Sequence, residues 1–202
     1  MQQERPRRSN RERSQETREK LIEAARRLFV EKTYAETGTP EIVRAAGLTR
    51  GALYHHFEDK QALFRAVAEQ EAADVAAEIE LHGTTEDPLE ALIEGGDAFL
   101  EAMGRSGRTR LLLLDGPAVL GRAAMDEIYD RHGNRTLRDG LAEATQAGTI
   151  RQVPLEPLTS LLAAAFDRAA LAIEAGADAD AYRLGLSALI RGLAAGEGKN
   201  VS

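Results

Sequence analysis

The chain is predicted to be all-α, on three observations. Apolar residues recur at helical spacing in most segments, as Leu21, Ala24, Ala25, Leu28 and Phe29 do. No stretch sustains the apolar–polar alternation of a half-buried strand. Helix-starting and helix-ending residues punctuate the chain, among them Pro40, Gly47, Thr49, Asp59, Asp87-Pro88 and the Gly148–Pro154 segment.

Composition narrows the class. The 202 residues suit one large domain or two small ones, and 43% hydrophobic content can bury a real core. There is no cysteine, so neither a disulfide framework nor a thiolate metal site is possible. The longest apolar run, Leu161 to Phe166, falls far short of the roughly 18 residues of a membrane span. No apolar stretch follows the basic N-terminus, so a secretory signal is not expected. The expectation is a soluble cytoplasmic chain with no membrane partner. Charge is uneven: residues 1–65 hold 14 Lys/Arg against 10 Asp/Glu, whereas the remainder holds 12 against 23. A basic third on an acidic protein suggests a local site for a polyanion; the plain alternative is a solvated charged face.

The elements follow in order. Residues 1–14 carry five arginines and no apolar residue after Met1, and read as a disordered basic arm. A helix is expected from Thr17 to about Lys32. A second, short one fits Thr39 to Ala46, with Pro40 at its first position and Glu41 near its positive end; Ile42 and Val43 are its expected buried side. Gly47 supplies a left-handed turn, and Thr49 caps a third helix of about Arg50 to Phe57. Asp59 caps a fourth, with Leu63, Phe64, Val67, Val75 and Ile79 on its inner face. After a loop at 82–88, helices are expected at about 88–103, 108–114, 118–147, 157–175 and 179–194.

The segment GLTRGALYHHFEDK, residues 47–60, raises a chemical question because it sets His55 beside His56. Adjacent helical residues diverge by about 100°, so the pair does not converge on one ion. No H-E-x-x-H or E-x-x-H is present, no G-x-S-x-G supplies a nucleophile, and no Gly-rich phosphate loop occurs. No metal or cofactor is therefore expected. A rival reading, a helical hydrolase or isomerase with its site in the C-terminal half, needs convergent nucleophile and base residues, and none stand out.

Nucleic acid fits the geometry better. On a helical wheel Leu53 and Phe57 lie within about 40° of each other and form a buried stripe, while Gly51, Tyr54 and His55 point outward with Ala52 beside them. Gly51 and Ala52 are small enough for the helix to sink into a major groove about 12 Å wide, and Arg50 at the N-terminus suits bidentate contact to guanine. Tyr54, His55, His56 and Lys60 carry donors for phosphates or base edges. Two short helices about a Gly-containing turn make a helix-turn-helix. An ordinary helical hairpin remains the alternative on pattern alone.

The strings TREKLIEAARRLF (17–29) and EIVRAAGLTRGALYHHFEDKQALF (41–64), with Tyr34 between them, resemble the N-terminal domain of tetracycline-repressor-type (TetR-family) regulators. The resemblance covers about residues 15–75 and is strongest from Ala45 to Lys60. It implies a homodimer with two helical domains: an N-terminal three-helix DNA-binding domain with its helix-turn-helix at about 38–57, and a ligand-binding and dimerisation domain over 76–202. Operator DNA and a small-molecule effector are the implied partners. Thr39, Thr49, Arg50, Gly51, Ala52, Tyr54, His55, His56 and Lys60 occupy the positions that meet DNA. Among them, Tyr54 and Lys60 are expected on phosphates, and Arg50, Ala52 and His55 on bases.

Two positions depart from the family pattern. Thr33 stands where glycine is usual, and a β-branched residue at positive φ is strained, so that helix end is expected to close differently. Pro40 lacks an N–H, which removes one possible phosphate donor and leaves Thr39 to cap or contact DNA.

In the C-terminal half the segment 157–175 is apolar nearly all round, and 179–194 repeats Leu186, Leu189, Ile190 and Leu193. These two helices from each of two chains are expected to form a four-helix dimer bundle. A pocket is expected among the helices between 88 and 173, lined by Phe99, Met103, Leu113, Met125, Tyr129 and Phe166. Asp167, Arg168 or His132 would give it polarity.

Overall fold

The computed structural model describes residues 9–82 and 85–195, and the described chain divides after Ala68 into two compact helical units. No helix among the described residues is long and apolar enough to cross a membrane.

In the first unit α1 (Asn10–Glu31) begins earlier than expected. Ser9 and Glu12 form a reciprocal capping box, the Glu12 N–H donating to Ser9 Oγ at 3.2 Å and the Ser9 N–H to Glu12 Oε2 at 2.7 Å. Residues 10–14, expected in a disordered arm, are thus helical; a cap satisfies end groups whether or not an apolar face has begun. Residues 1–8 of that arm lie outside the described residues. α2 (Thr39–Ala45) and α3 (Arg50–His56) pack on α1 and on each other, and α4 (Lys60–His82) starts where the Ala62 N–H donates to Asp59 Oδ1 at 2.7 Å. The core is Leu21, Leu28, Phe29, Ile42, Leu53 and Phe64, closed by edge-on contacts of Phe29 and Tyr34 with Phe64. Val43, expected inside with Ile42, is only half-buried.

Thr33 closes α1 with φ 115°, the conformation the sequence argued against. Thr37 holds it there: its hydroxyl donates to the Thr33 carbonyl at 2.7 Å. Gly38, not Thr39, takes the cap position of α2, and Thr39 and Pro40 fill the first turn.

The second unit holds α5 (Pro88–Met103), a π-helical turn (Arg110–Asp115), α6 (Gly116–Leu120), α7 (Arg122–Arg131), α8 (Gly133–Gln146), α9 (Leu155–Glu174) and α10 (Ala179–Arg191), with the end of α4. The single helix expected over 118–147 is three, because Gly121 (φ 83°) and His132 (φ −124°, ψ −100°) leave helical geometry. The segment expected as α-helix at 108–114 is π instead. The Gly116 N–H reaches back five residues to the Leu111 carbonyl, and the corresponding donor for Leu112 falls on Pro117, which has none. The Tyr129 hydroxyl supplies the missing donor, to the Leu112 carbonyl at 2.7 Å.

Within this unit α9 packs on α5, α8 and α10. Leu162, Phe166 and Ala169 are buried on α9, as are Leu186 and Ile190 on α10. The outer positions of α10 are therefore Ala181, Leu184, Gly185, Ala188 and Leu189, rather than Leu186 and Ile190. Leu161 and Leu184 are 70% and 73% exposed, which leaves apolar side chains uncovered on the outer faces of α9 and α10.

Candidate functional site

The turn between α2 and α3 is built from local rules. Gly47 takes φ 67°, so the chain reverses and the Leu48 N–H donates to the Val43 carbonyl at 2.8 Å. Thr49 then caps α3, its Oγ1 accepting from the Ala52 N–H at 3.2 Å. Leu53 and Phe57 are buried, which turns the opposite side of α3 to solvent.

That outer side gathers several of the residues expected to meet DNA. Arg50, Gly51, Tyr54 and His55 are exposed, and the Arg50 guanidinium lies 5.4 Å from the Tyr54 ring centre. The Thr39 hydroxyl of α2 and the Arg50 guanidinium, both beside the Tyr54 hydroxyl, hold that phenol below its ordinary pKa. Thr39, Arg50 and Tyr54 thus form one patch of hydrogen-bond donors across two helices.

Gly51 is the most telling member. A Cβ added there meets nothing nearer than Thr49 Oγ1, at 3.8 Å. Glycine within a helix costs about 0.5–1 kcal/mol relative to alanine, and here no internal packing requires it.

Two expected residues sit differently. His56 is half-buried; burial, then the neighbouring His55 and Arg18, hold its imidazole below the usual pKa. Lys60, expected on a phosphate, donates to the carbonyls of Tyr34 and Thr37 at 2.8 and 3.0 Å and lies over the Tyr34 ring at 4.1 Å. The chain bends through 33–37 and leaves carbonyls without helical partners, so an ammonium with three donors is drawn inward. Lys60 is a clamp on this bend.

The second unit contains a cavity of about 450 Å³ among α4, α5, α8, α9 and the π turn. Phe99, Met103, Leu113, Tyr129, Phe166 and Asp167 line it, as expected. Three expected contributors do not. Met125 is core, with its thioether against Gly116, where an added Cβ would come within 2.8 Å. Arg168 is exposed. His132 Nε2 pairs with Glu69 Oε1 at 2.8 Å, and Arg131 joins the same carboxylate at 2.6 Å. Burial works to raise the Glu69 carboxyl, but these two partners overcome it and hold it low.

The sequence reading missed the walls from Val75, Ile79, Asn134 and Thr136. Val75 and Ile79 stood on a recognised inner face, and only tertiary packing turns that face onto a cavity. Gly96 shapes the interior: a Cβ there would come within 2.7 Å of the Phe166 ring, which meets Phe99 at 5.6 Å. Among the described residues no group of three or more His, Asp or Glu is placed to hold a metal.

Comparison with known proteins agrees with this architecture. The family model of bacterial regulatory proteins, tetR family, matches residues 21–67, and that of the tetracyclin repressor-like C-terminal domain matches 89–196. The HTH-type transcriptional regulator AcrR of Shigella flexneri is 38% identical over 109 residues, 52% of this chain and 50% of AcrR. The repressor AcnR of Corynebacterium efficiens is 39% identical over 70 residues, 35% of this chain and 37% of AcnR. The chain therefore spans half or less of the length of these curated relatives. A crystal structure of a TetR-family transcriptional regulator from Pectobacterium atrosepticum superposes with a TM-score of 0.74 at 33% identity, covering 93% of this chain and 98% of that one. With both of its units matched by models of one family, the chain belongs to the TetR family of bacterial regulatory proteins.

Proposed function

We propose that this chain is a dimeric, sequence-specific DNA-binding regulator, a repressor released from its operator by a small-molecule effector. The observation that carries the reading is Gly51, a helical glycine with free space around it in the middle of an exposed donor patch. A small residue at that point lets α3 approach the floor of a major groove. Arg50, Ala52 and His55 then read base edges, Tyr54 and Thr39 hold phosphates, and Thr49 serves as the cap. His56 contributes from the rim. A helical hydrolase or isomerase is the weaker reading, because the family is one of regulators.

Dimerisation fits the outer faces of α9 and α10, where Leu161, Leu184 and Leu189 stand among alanines and Gly185. Covering them with the same helices of a second copy buries apolar surface and allows close helix approach. α4 is the proposed link to the effector: it carries Lys60 at its start, and its later residues Val75 and Ile79 line the cavity. An effector that favours one arrangement of the dimer weakens operator binding, with coupling of about 1–3 kcal/mol.

Salt titration of operator binding tests the interface. Each neutralised phosphate contributes about −0.9 to the slope of log affinity against log salt, and about three to five contacts per half-site predict a slope of roughly −5 to −9. A slope near zero would rule this mode out.

A further inference from the structure

Every charged residue lining the cavity is an acid. Among the described residues these are Glu80, Glu86, Glu143 and Asp167, and no lysine, arginine or histidine joins them. The four are not equivalent. Glu80 is turned toward Arg135 at 3.7 Å, and Glu143 is exposed. Asp167 stands on the inner side of α9 next to Phe166, whose ring lies between Phe99 and Gly96. No hydrogen bond or ion pair within the described residues engages its carboxylate. Glu71 and Glu78 are partnered by Arg108, and Glu69 by Arg131 and His132; Glu94 also buries an unpartnered carboxylate oxygen, but it does not line the cavity. A partly buried carboxylate without a partner, facing a cavity, is an arrangement that proteins rarely retain without a use.

Resting on the reading of this cavity as the effector site, we propose that its ligand is an organic cation, an aromatic amine or quaternary ammonium, with its charge at Asp167 and its apolar body against Phe99, Tyr129 and Phe166. The ring faces favour the same sign of charge, because their quadrupoles attract cations. An anion of the same shape would face a lining whose charged side chains are all acids. Burial lifts the Asp167 carboxyl to about 6 against the opposing pull of Arg122, which measures how poorly its negative charge is now compensated. A bound cation would supply that compensation and return the group toward its ordinary value.

Calorimetry on the full chain at pH 7.5, with no DNA present, tests this. The probes are benzyltriethylammonium, neutral N,N-diethylbenzamide and anionic phenylacetate. The cation should bind at least about tenfold more tightly than either, since one charge contact in partly buried surroundings amounts to more than a power of ten before desolvation is counted. In Asp167→Asn that preference should disappear while benzamide affinity stays within about threefold of wild type. In the wild type, cation affinity should rise with pH through about 6 as Asp167 ionises, with Tyr129 and Arg122 the other groups acting around it. Benzamide affinity should not change with pH. Equal or tighter binding of the neutral or anionic probe overturns the inference, as does no cation binding at millimolar concentration, or unchanged cation affinity in Asp167→Asn. Each of those results leaves the DNA-binding reading standing; failure of operator binding leaves the calorimetric result standing.

Discussion

Arg108 and Glu71 form an ion pair of 2.8 Å with side chains only 4% and 5% exposed, and Glu78 reaches the same guanidinium at 3.1 Å. Arg108 also donates to the Ala102 carbonyl at 2.8 Å, so two carboxylates and a backbone carbonyl converge on one guanidinium. Burial alone disfavours the guanidinium charge; the two carboxylates overcome that and hold Arg108 protonated. Removing the Glu71 charge leaves the buried guanidinium to the more exposed Glu78 only, and breaking a buried pair typically costs about 3–5 kcal/mol. Glu71→Gln should therefore lower the thermal midpoint by roughly 6–20 °C, at about 2–4 °C per kcal/mol for a chain of this size. A loss below about 1 kcal/mol would mean that water reaches the site.

Asp167 predicts a pH dependence of stability. Its folded pKa of about 6 lies above the ordinary 3.8, so the folded state binds the extra proton between those values. Its contribution is then fully present below about pH 4 and is lost as pH rises through 6. At roughly 1.4 kcal/mol per unit the whole effect is at most about 3 kcal/mol. Asp167→Asn should be more stable than wild type at pH 7.5, and the difference should vanish near pH 4. Chemical denaturation at the two pH values measures it. Equal stability at both would show that the carboxylate is well solvated.

Thr33 stores strain where α1 ends. Its φ of 115° costs an L-residue about 1–3 kcal/mol, and glycine at the same place gives back roughly 0.5–1 kcal/mol through the unfolded chain. Thr33→Gly should stabilise the protein by about 1 kcal/mol and raise the melting temperature by about 2–4 °C. A decrease would mean that the Thr33 hydroxyl, which accepts from the Glu36 N–H at 3.4 Å, matters more than the backbone conformation.

How much of this was legible in the sequence follows from the range of the forces involved. The caps at Thr49, Asp59 and Asp87 and the turn at Gly47 are decided within four residues, and they stand where the sequence puts them. The outward side of α3 follows from the burial of Leu53 and Phe57 alone. The inward turn of Lys60 had no local signal, because its partners are the carbonyls of Tyr34 and Thr37, 26 and 23 residues away. The Arg108–Glu71 pair spans 37 residues and has no local signal at all. Met125 shows the same limit: apolar spacing marks it as inward, and only its contact with Gly116 separates core from cavity wall.

Gly51 separates folding from DNA binding. Gly51→Ala should stabilise α3 by about 0.5–1 kcal/mol, since the added Cβ meets no obstacle within the protomer. Gly51→Leu should leave the melting temperature at or above wild type, yet weaken operator binding by about a hundredfold or more through the lost groove approach. Thermal melts and a DNA titration on the same preparations read both effects. Normal operator affinity in Gly51→Leu would show that α3 does not enter the groove at this point.

The most direct test of a DNA-binding regulator is genome-wide enrichment of DNA fragments by the native protein, with Arg50→Ala in parallel. A discrete palindromic site should be recovered, its half-sites about 34 Å or a multiple of that apart along the duplex. In Arg50→Ala, base preference should relax at one position per half-site, at a cost of about 1–3 kcal/mol per specific pair. Recovery of no discrete palindrome by the native protein would contradict the account.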